Sequence, residues 1–217
     1  MRPELFIGVP SFIGQITTEL SDYLALLMTL SAIEQFPYDV IVNYMVGERP
    51  HEYARNKIIT AALKTNAERI VMIDDDITPS QECNSIITAP YDICGAAYLT
   101  APKGKPWASV GRKVTVVGGV ENWEMAPTGT GFTHVDACGT GFIMIRRRVF
   151  QDERMQLSPP DADGTVCFFQ TPRGPAGNLL LTEDLDFTYR AKKLGFSVVI
   201  NHDVKCGHKK LVDVVTL

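Results

Sequence analysis

The strongest constraint on this chain is the alternation of short apolar runs with helical patterns over its first third. LFIGVPS (Leu5 to Ser11) is apolar and stops abruptly at Pro and Ser, as a buried strand does. From Thr17 to Glu34 apolar residues recur at Leu20, Leu24, Leu27, Met28 and Ile33, a helical spacing. YDVIVNYMV (Tyr38 to Val46) reads as a second strand, and His51 to Thr65 as a helix with Ala54, Ile58, Ala61 and Ala62 on its apolar face. ERIVMID is the third strand; its apolar core lacks alternation, which predicts cover on both faces. Strand–helix alternation of this kind predicts an α/β fold, a mostly parallel central sheet flanked by helices.

The second half has a different texture. YDICGAAYL (Tyr91 to Leu99) is another apolar strand, and from Thr100 to Phe132 Gly and Pro separate short segments such as KVTVV, predicting a small antiparallel β-ribbon. His134 to Phe150 reads as a strand running into a basic turn. Seven Gly and Pro residues between Leu157 and Leu181 mark a long irregular loop of the kind that binds ligands or forms lids. TEDLDFTYRAKKLGF is a helix with Thr182 as N-cap, acidic residues in its first turn, lysines in its last and Gly195 as stop. SVVINHDV closes the sheet, and CGHKKLVDVVTL reads as a tail. One domain over 1–217 is expected, with 1–78 as a nucleotide-binding half and 79–217 as an acceptor-side half.

Composition narrows the function classes. With 217 residues, 45% of them hydrophobic, the chain can bury a sizeable core. A net charge of −4 excludes a generally basic nucleic-acid binder. No apolar window approaches the length of a membrane span. MRPELFIGVPSF is too short and too broken by Pro and Gly for a signal peptide. Five cysteines without a C-x-x-C pair read as reduced, buried thiols, and the expected location is cytoplasmic.

The third strand ends in Asp74, Asp75 and Asp76. In parallel sheets the strand ends deliver residues to the ligand crevice, and carboxylates there suit Mg²⁺ or Mn²⁺ with substrate phosphates completing the shell. In an extended chain Asp74 and Asp76 point to one side and Asp75 to the other. The bland alternative is a turn that closes the strand with local backbone bonds before Pro79. IDDDITP also satisfies, through Asp74, Asp76 and Thr78, the D-x-D-x-T pattern of haloacid-dehalogenase-like phosphatases, in which Asp74 is the nucleophile. In that family the motif follows the first strand; here two βα units precede it.

The combination of D-x-D, LFIGVPS, YARNKIITAAL and TEDLDFTYRAKKLGFSVVINHDVKCGH resembles the family-2-like nucleotide-sugar glycosyltransferases of GT-A fold. The likeness extends over most of the chain and is weakest between Thr100 and Phe132. It implies that Pro10 and Ser11 contact the nucleotide base, and that Arg55 and Asn56 reach toward the base or the D-x-D loop. It implies Asp76 as a direct metal ligand, Asp74 on the ribose or metal-bound water, and Asp75 beside the nucleotide. His208 matches the late histidine that completes the metal site, with His202 and Asp203 as neighbours that shift the assignment. Asp184 matches the general base of inverting members, oriented by Glu183. Implied cofactors are Mn²⁺ or Mg²⁺ and a nucleotide-diphosphate sugar, a UDP-sugar first.

Each residue also has an ordinary reading. Glu183 and Asp184 suit any helix N-terminus, and His208 suits a solvated basic tail. Arg190 is expected to pair with Asp186 on its own helix. CGTGF (Cys138 to Phe142) fits either room for an acceptor sugar or close strand packing. Arg146, Arg147 and Arg148 fit a solvated turn or an anionic acceptor such as nucleic acid, while Trp107 and Trp123 fit stacking on a sugar or plain packing. A catalytically silent nucleotide-sugar-binding module stays open beside the two enzyme readings. The acceptor (saccharide, protein or modified DNA base) and the oligomeric state are not legible.

Overall fold

The structure, a computed structural model, describes residues 2–100, 107–108, 111–118, 120–127 and 129–209. Its first half is β1 (Glu4–Ser11), α1 (Thr18–Ala32), β2 (Asp39–Val46), α2 (His51–Leu63), β3 (Arg69–Ile73) and β4 (Ile77–Thr78). A 3₁₀ turn (Gln81–Cys83) leads into α3 (Asn84–Ile87), β5 (Ile93–Thr100), β6 (Trp107–Ala108), β7 (Gly111–Val117) and β8 (Val120–Met125). Then come β9 (Phe132–His134), β10 (Ala137–Cys138), β11 (Phe142–Arg146), α4 (Arg147–Gln151), α5 (Glu183–Lys193) and β12 (Val198–His208).

The main sheet runs β2-β1-β3-β11-β5-β12-β4, with β6 on β5 and β9 on β12. β1, β2 and β3 are mutually parallel, as are β5 and β12; β11 is inserted antiparallel between β3 and β5. The expected ribbon is present as a separate antiparallel sheet in the order β10-β7-β8. Its β8 is fastened to α5: Tyr189 and Lys193 both reach Glu121 Oε1 at 2.8 Å, and Trp123 meets the Tyr189 ring edge-on at 4.7 Å. Trp123 is therefore a packing residue; the side chain of Trp107 lies outside the described residues.

β3 shows why its sequence lacks alternation. Ile70 and Met72 face a core layer with Ile58, Ile59 and Ala62 of α2 and Phe187 and Ala191 of α5, while Val71 and Ile73 face Leu20, Leu24 and Leu27 of α1 and Ile86 and Ile87 of α3. Both faces are covered, so every position is apolar. On α1 the buried stripe is Leu20, Tyr23, Leu24, Leu27 and Ser31; Met28 and Ile33, expected inside, are 51% and 55% exposed.

Two further departures matter for function. Cys206, Gly207 and His208 are not tail: they extend β12, where Gly207 pairs with Thr78 and His208 with Ile77 of β4. That short antiparallel contact carries His208 back to the aspartates. The aspartates themselves leave the extended conformation, because Ile77 N–H donates to Asp74 O at 3.1 Å and closes a turn. The alternation expected of a strand does not apply there.

Helix α2 sits very close to β1. A Cβ on Gly8 would stand 2.2 Å from Ile58 Cγ2, and a β-branched side chain inside a helix has little rotamer freedom to yield. Gly8→Ala is expected to cost about 1–3 kcal/mol, read as a lowered urea midpoint at unchanged slope. Adding Ile58→Ala should relieve the clash, so the double variant loses less than the sum of the two single losses.

Candidate active site

The turn after β3 opens into a cleft of 1030 Å³ bounded by the end of β1, the start of α2, the aspartates, Thr171, the N-terminus of α5 and His208. Pro10, Ser11, Arg55, Asp74, Asp75, Asp76, Glu183, Asp184 and His208 all line it, joined by Phe12, Glu48, Arg49, His51 and Glu52, which sequence reasoning did not single out. Asn56 does not line it, and neither does Thr78, the residue on which the phosphatase pattern depends.

Arg55 connects the parts. Its side chain is only 5% exposed; Nη2 lies 3.1 Å from Asp74 Oδ1 and Nε 3.3 Å from Glu183 Oε1. One guanidinium thus holds the first aspartate of D-x-D and the glutamate of the E-D helix, residues 109 positions apart in the sequence. Burial opposes its charge, but Asp74, then Glu183 and Asp184, outweigh that and raise its pKa. Nη1 is buried without a hydrogen-bond partner. The planar fork is what permits two carboxylates to share one cation.

The three aspartates point to three different partners. Asp74 goes to Arg55, and burial raises its carboxyl pKa against the pull of that arginine. Burial also raises that of Asp75, opposed by the Ser11 hydroxyl and by His51. Asp76 Oδ2 lies 2.7 Å from His208 Nε2. The turn is pinned from behind: Thr17 N–H donates to Asp75 O at 3.1 Å, Thr17 Oγ1 to Ile77 O at 2.9 Å, and Asp74 N–H to Gly141 O at 2.9 Å. Thr17 also caps α1, accepting from Leu20 N–H. In the sequence Thr17 marks only the start of the α1 pattern.

At the start of α5, Thr182 has the extended backbone of an N-cap, but its hydroxyl donates to Asp184 Oδ1 and accepts no N–H of the helix. The same oxygen accepts from Leu185 N–H at 2.8 Å, so Asp184 is held against the helix end. Thr188, one turn later, accepts from Cys138 N–H at 3.0 Å and lies 2.8 Å from Asp184 O. It ties α5 to the CGTGF stretch, which serves here as backbone support. Arg190 pairs with Asp186 at 2.9 Å as expected, and reaches the Met155 and Phe168 carbonyls as well.

Several expectations fall elsewhere. Asn56 is buried and turned to the long loop: Nδ2 donates to Phe169 O at 2.9 Å, and Oδ1 accepts from Phe168 and Phe169 N–H. It is a loop clamp, because those backbone groups have no sheet partner and only a side-chain amide can satisfy both kinds. His202 is buried at the β12 irregularity, its N–H on Gly131 O, away from the cleft. Arg147 reaches carbonyls at the end of α2 and beyond, including Leu63 O and Thr65 O at 2.9 Å. Arg148 is paired with Asp92 at 2.5 Å. Arg146 aligns with Arg69 at the start of β3, the opposite end of the sheet from Asp74. Arg147 and Arg148 are thus engaged within the chain, and none of the three lines the cleft, so the arginine run gives no support to a nucleic-acid acceptor there.

Among the described residues no three His, Cys, Asp or Glu side chains gather as a ready-made metal site. Asp76 and His208 form a pair, and their 2.7 Å separation is close to the ~3 Å between adjacent donors on a six-coordinate ion with bonds of about 2.1 Å. Two protein donors, with the rest from phosphate and water, fit Mg²⁺ or Mn²⁺.

Comparison with solved structures agrees with this architecture. A197 from STIV superimposes with a TM-score of 0.53 at 16% identity, covering 95% of this chain and 86% of that one. S. aureus TarS 1-349, crystallised with UDP-GlcNAc, gives 0.50 at 15% identity over 95% of this chain. The fold is GT-A-like. The chain spans 59% of that TarS chain. No family model matches the sequence, and no curated protein is significantly similar to it.

Arg55→Leu leaves two carboxylates without their cation and is expected to cost roughly 3 kcal/mol, measured by urea denaturation. Arg55→Lys should recover part of this only, since an ammonium lacks the fork that reaches both partners.

Proposed function

We propose that this chain is a metal-dependent glycosyltransferase that moves a sugar from a nucleotide-diphosphate sugar, a UDP-sugar first, to an acceptor hydroxyl with inversion. The observation that carries the reading is the convergence of Asp74, Asp75, Asp76 and His208 with Glu183 and Asp184 in one cleft, linked through Arg55. Asp76 and His208 would hold Mn²⁺ or Mg²⁺, which supplies Lewis-acid neutralisation of the departing diphosphate. The fold shared with a protein crystallised with UDP-GlcNAc supports the donor class at the level of architecture.

The remaining steps belong to the chain's own residues. Pro10, Ser11 and Asp75 form the wall nearest β1 and receive the nucleoside. Asp74, kept in place by Arg55, would meet the ribose. Asp184 takes the proton of the acceptor hydroxyl as its oxygen bonds to the anomeric carbon and the bond to the diphosphate breaks. Thr182 and Leu185 N–H fix the carboxylate for that task, and Glu183, held by Arg55, restricts how the helix end meets the acceptor. The division into a nucleotide half, 1–78, and an acceptor half, 79–217, follows from the same reading. No helix among the described residues is long and apolar enough to cross a membrane.

The test is a panel of nucleotide sugars, with Mn²⁺ present or chelated, scored for binding and for donor turnover. Binding and turnover that both require the metal are expected, and His208→Ala should raise the Mn²⁺ concentration needed for half-maximal activity. Asp184→Asn should lower turnover by about 10²-fold or more while donor affinity stays within a few-fold. Tight binding without turnover would assign a silent binding module. Absence of both across the panel would end the glycosyltransferase reading.

A further inference from the structure

Cys83 and Cys206 are 123 positions apart in the chain, yet their sulfurs stand 3.5 Å from each other. Both side chains are buried, at 0% and 1% exposure. They belong to the two segments that meet beneath the cleft. Cys83 ends the 3₁₀ turn that follows the aspartates, and Cys206 lies two residues before His208 on β12. Between them the Thr78–Gly207 and Ile77–His208 backbone pairs and the Asp76–His208 side-chain contact join the segments without a covalent link. The proposed transfer chemistry uses neither thiol.

Sulfurs at 3.5 Å are in van der Waals contact, and a disulfide needs about 2.05 Å, an approach of about 1.5 Å shared by two side chains. The route to the pair is also visible. Gln81 and Glu82 are exposed, and a three-residue 3₁₀ turn is a small unit to open. Opening of that turn would bring the Cys83 sulfur to solvent ahead of Cys206, which is held in β12.

We propose that Cys83 and Cys206 are an oxidation site at which a hydroperoxide forms a disulfide joining the aspartate segment to the His208 strand. The Cys83 sulfur attacks the peroxide, the O–O bond breaks, and Cys83 becomes a sulfenic acid as water (or, from an organic peroxide, an alcohol) departs. The Cys206 sulfur then attacks Cys83, the S–O bond breaks and a water leaves. Two electrons pass from the sulfurs to the peroxide, and both thiol protons end on the departing oxygens. The bond closes a loop from 83 to 206 and fastens the segment that follows Asp76 to the strand carrying His208. This inference stands on the sulfur geometry and does not depend on the transfer reading.

The experiment uses the native, reduced protein treated with hydrogen peroxide, quenched with N-ethylmaleimide and mapped by mass spectrometry without reduction. A linked peptide containing Cys83 and Cys206, two hydrogens lighter than the sum of its parts, is expected. It should appear with a melting temperature raised by roughly 5–15 °C and reversed by dithiothreitol. Cys83→Ser should abolish the link, whereas Cys167→Ser, in the long loop, should leave it. Recovery of Cys83 and Cys206 as maleimide adducts after Cys167 has been oxidised would overturn the proposal. So would conversion of Cys83 to sulfinic acid with no link. The wild-type map decides the question even if a variant fails to fold.

Discussion

The buried guanidinium of Arg55 is the interaction on which the rest of the cleft depends. A cation sealed among apolar strands and helices is tolerated only when its donors are met by acceptors of opposite charge. Asp74 and Glu183 meet two of them, which fixes the end of β3 and the beginning of α5 relative to α2. The repulsion expected among neighbouring carboxylates is relieved the same way. Each aspartate of the triplet has its own neighbour: Arg55 for Asp74, Ser11 and His51 for Asp75, His208 for Asp76.

Helix α2 is the organiser behind that arginine. Arg55 faces the cleft, while Asn56 holds the backbone of Phe168 and Phe169, Thr60 accepts from Val166 N–H at 3.0 Å, and Tyr53 donates to Asp163 at 2.9 Å. A single helix thus positions charged groups on one side and a long loop on another. Its own place is set by contact with β1 at Gly8, where any larger residue meets Ile58. The loop it clamps continues through Thr171 to Thr182, both on the cleft wall, so loop order and site geometry have a common support.

Much of this was legible from local pattern. The strand–helix order, the parallel β1–β3 group, the ribbon and the bounds of α5 follow from periodicity and turn residues, which act over a few positions. The Asp186–Arg190 pair was legible because helical spacing alone brings i and i+4 together. Asn56 was misread because a polar residue beside Arg55 looks the same whether it meets a ligand or a loop carbonyl 113 positions away. The arginine run misled for a similar reason: charge is visible in sequence, but Asp92 and the carbonyls near the end of α2 that absorb it are distant in the chain. Thr17 and Thr188 gave no signal beyond ordinary helix residues.

By itself, then, the sequence determined the α/β layering and a carboxylate-rich strand end, since hydrophobic period and composition are local properties. Only the tertiary structure decided how those carboxylates are used. The turn at Asp74–Ile77 replaced the alternation of an extended strand, so Asp74 and Asp76 do not share one side but meet Arg55 and His208 separately. The extension of β12 through Cys206 and Gly207 brought His208, not His202, to Asp76. Both were among the readings open in the sequence, a turn before Pro79 and His208 beside the aspartates, but the choice rests on a turn closed by the backbone and on contacts between segments more than a hundred residues apart, which local pattern does not encode.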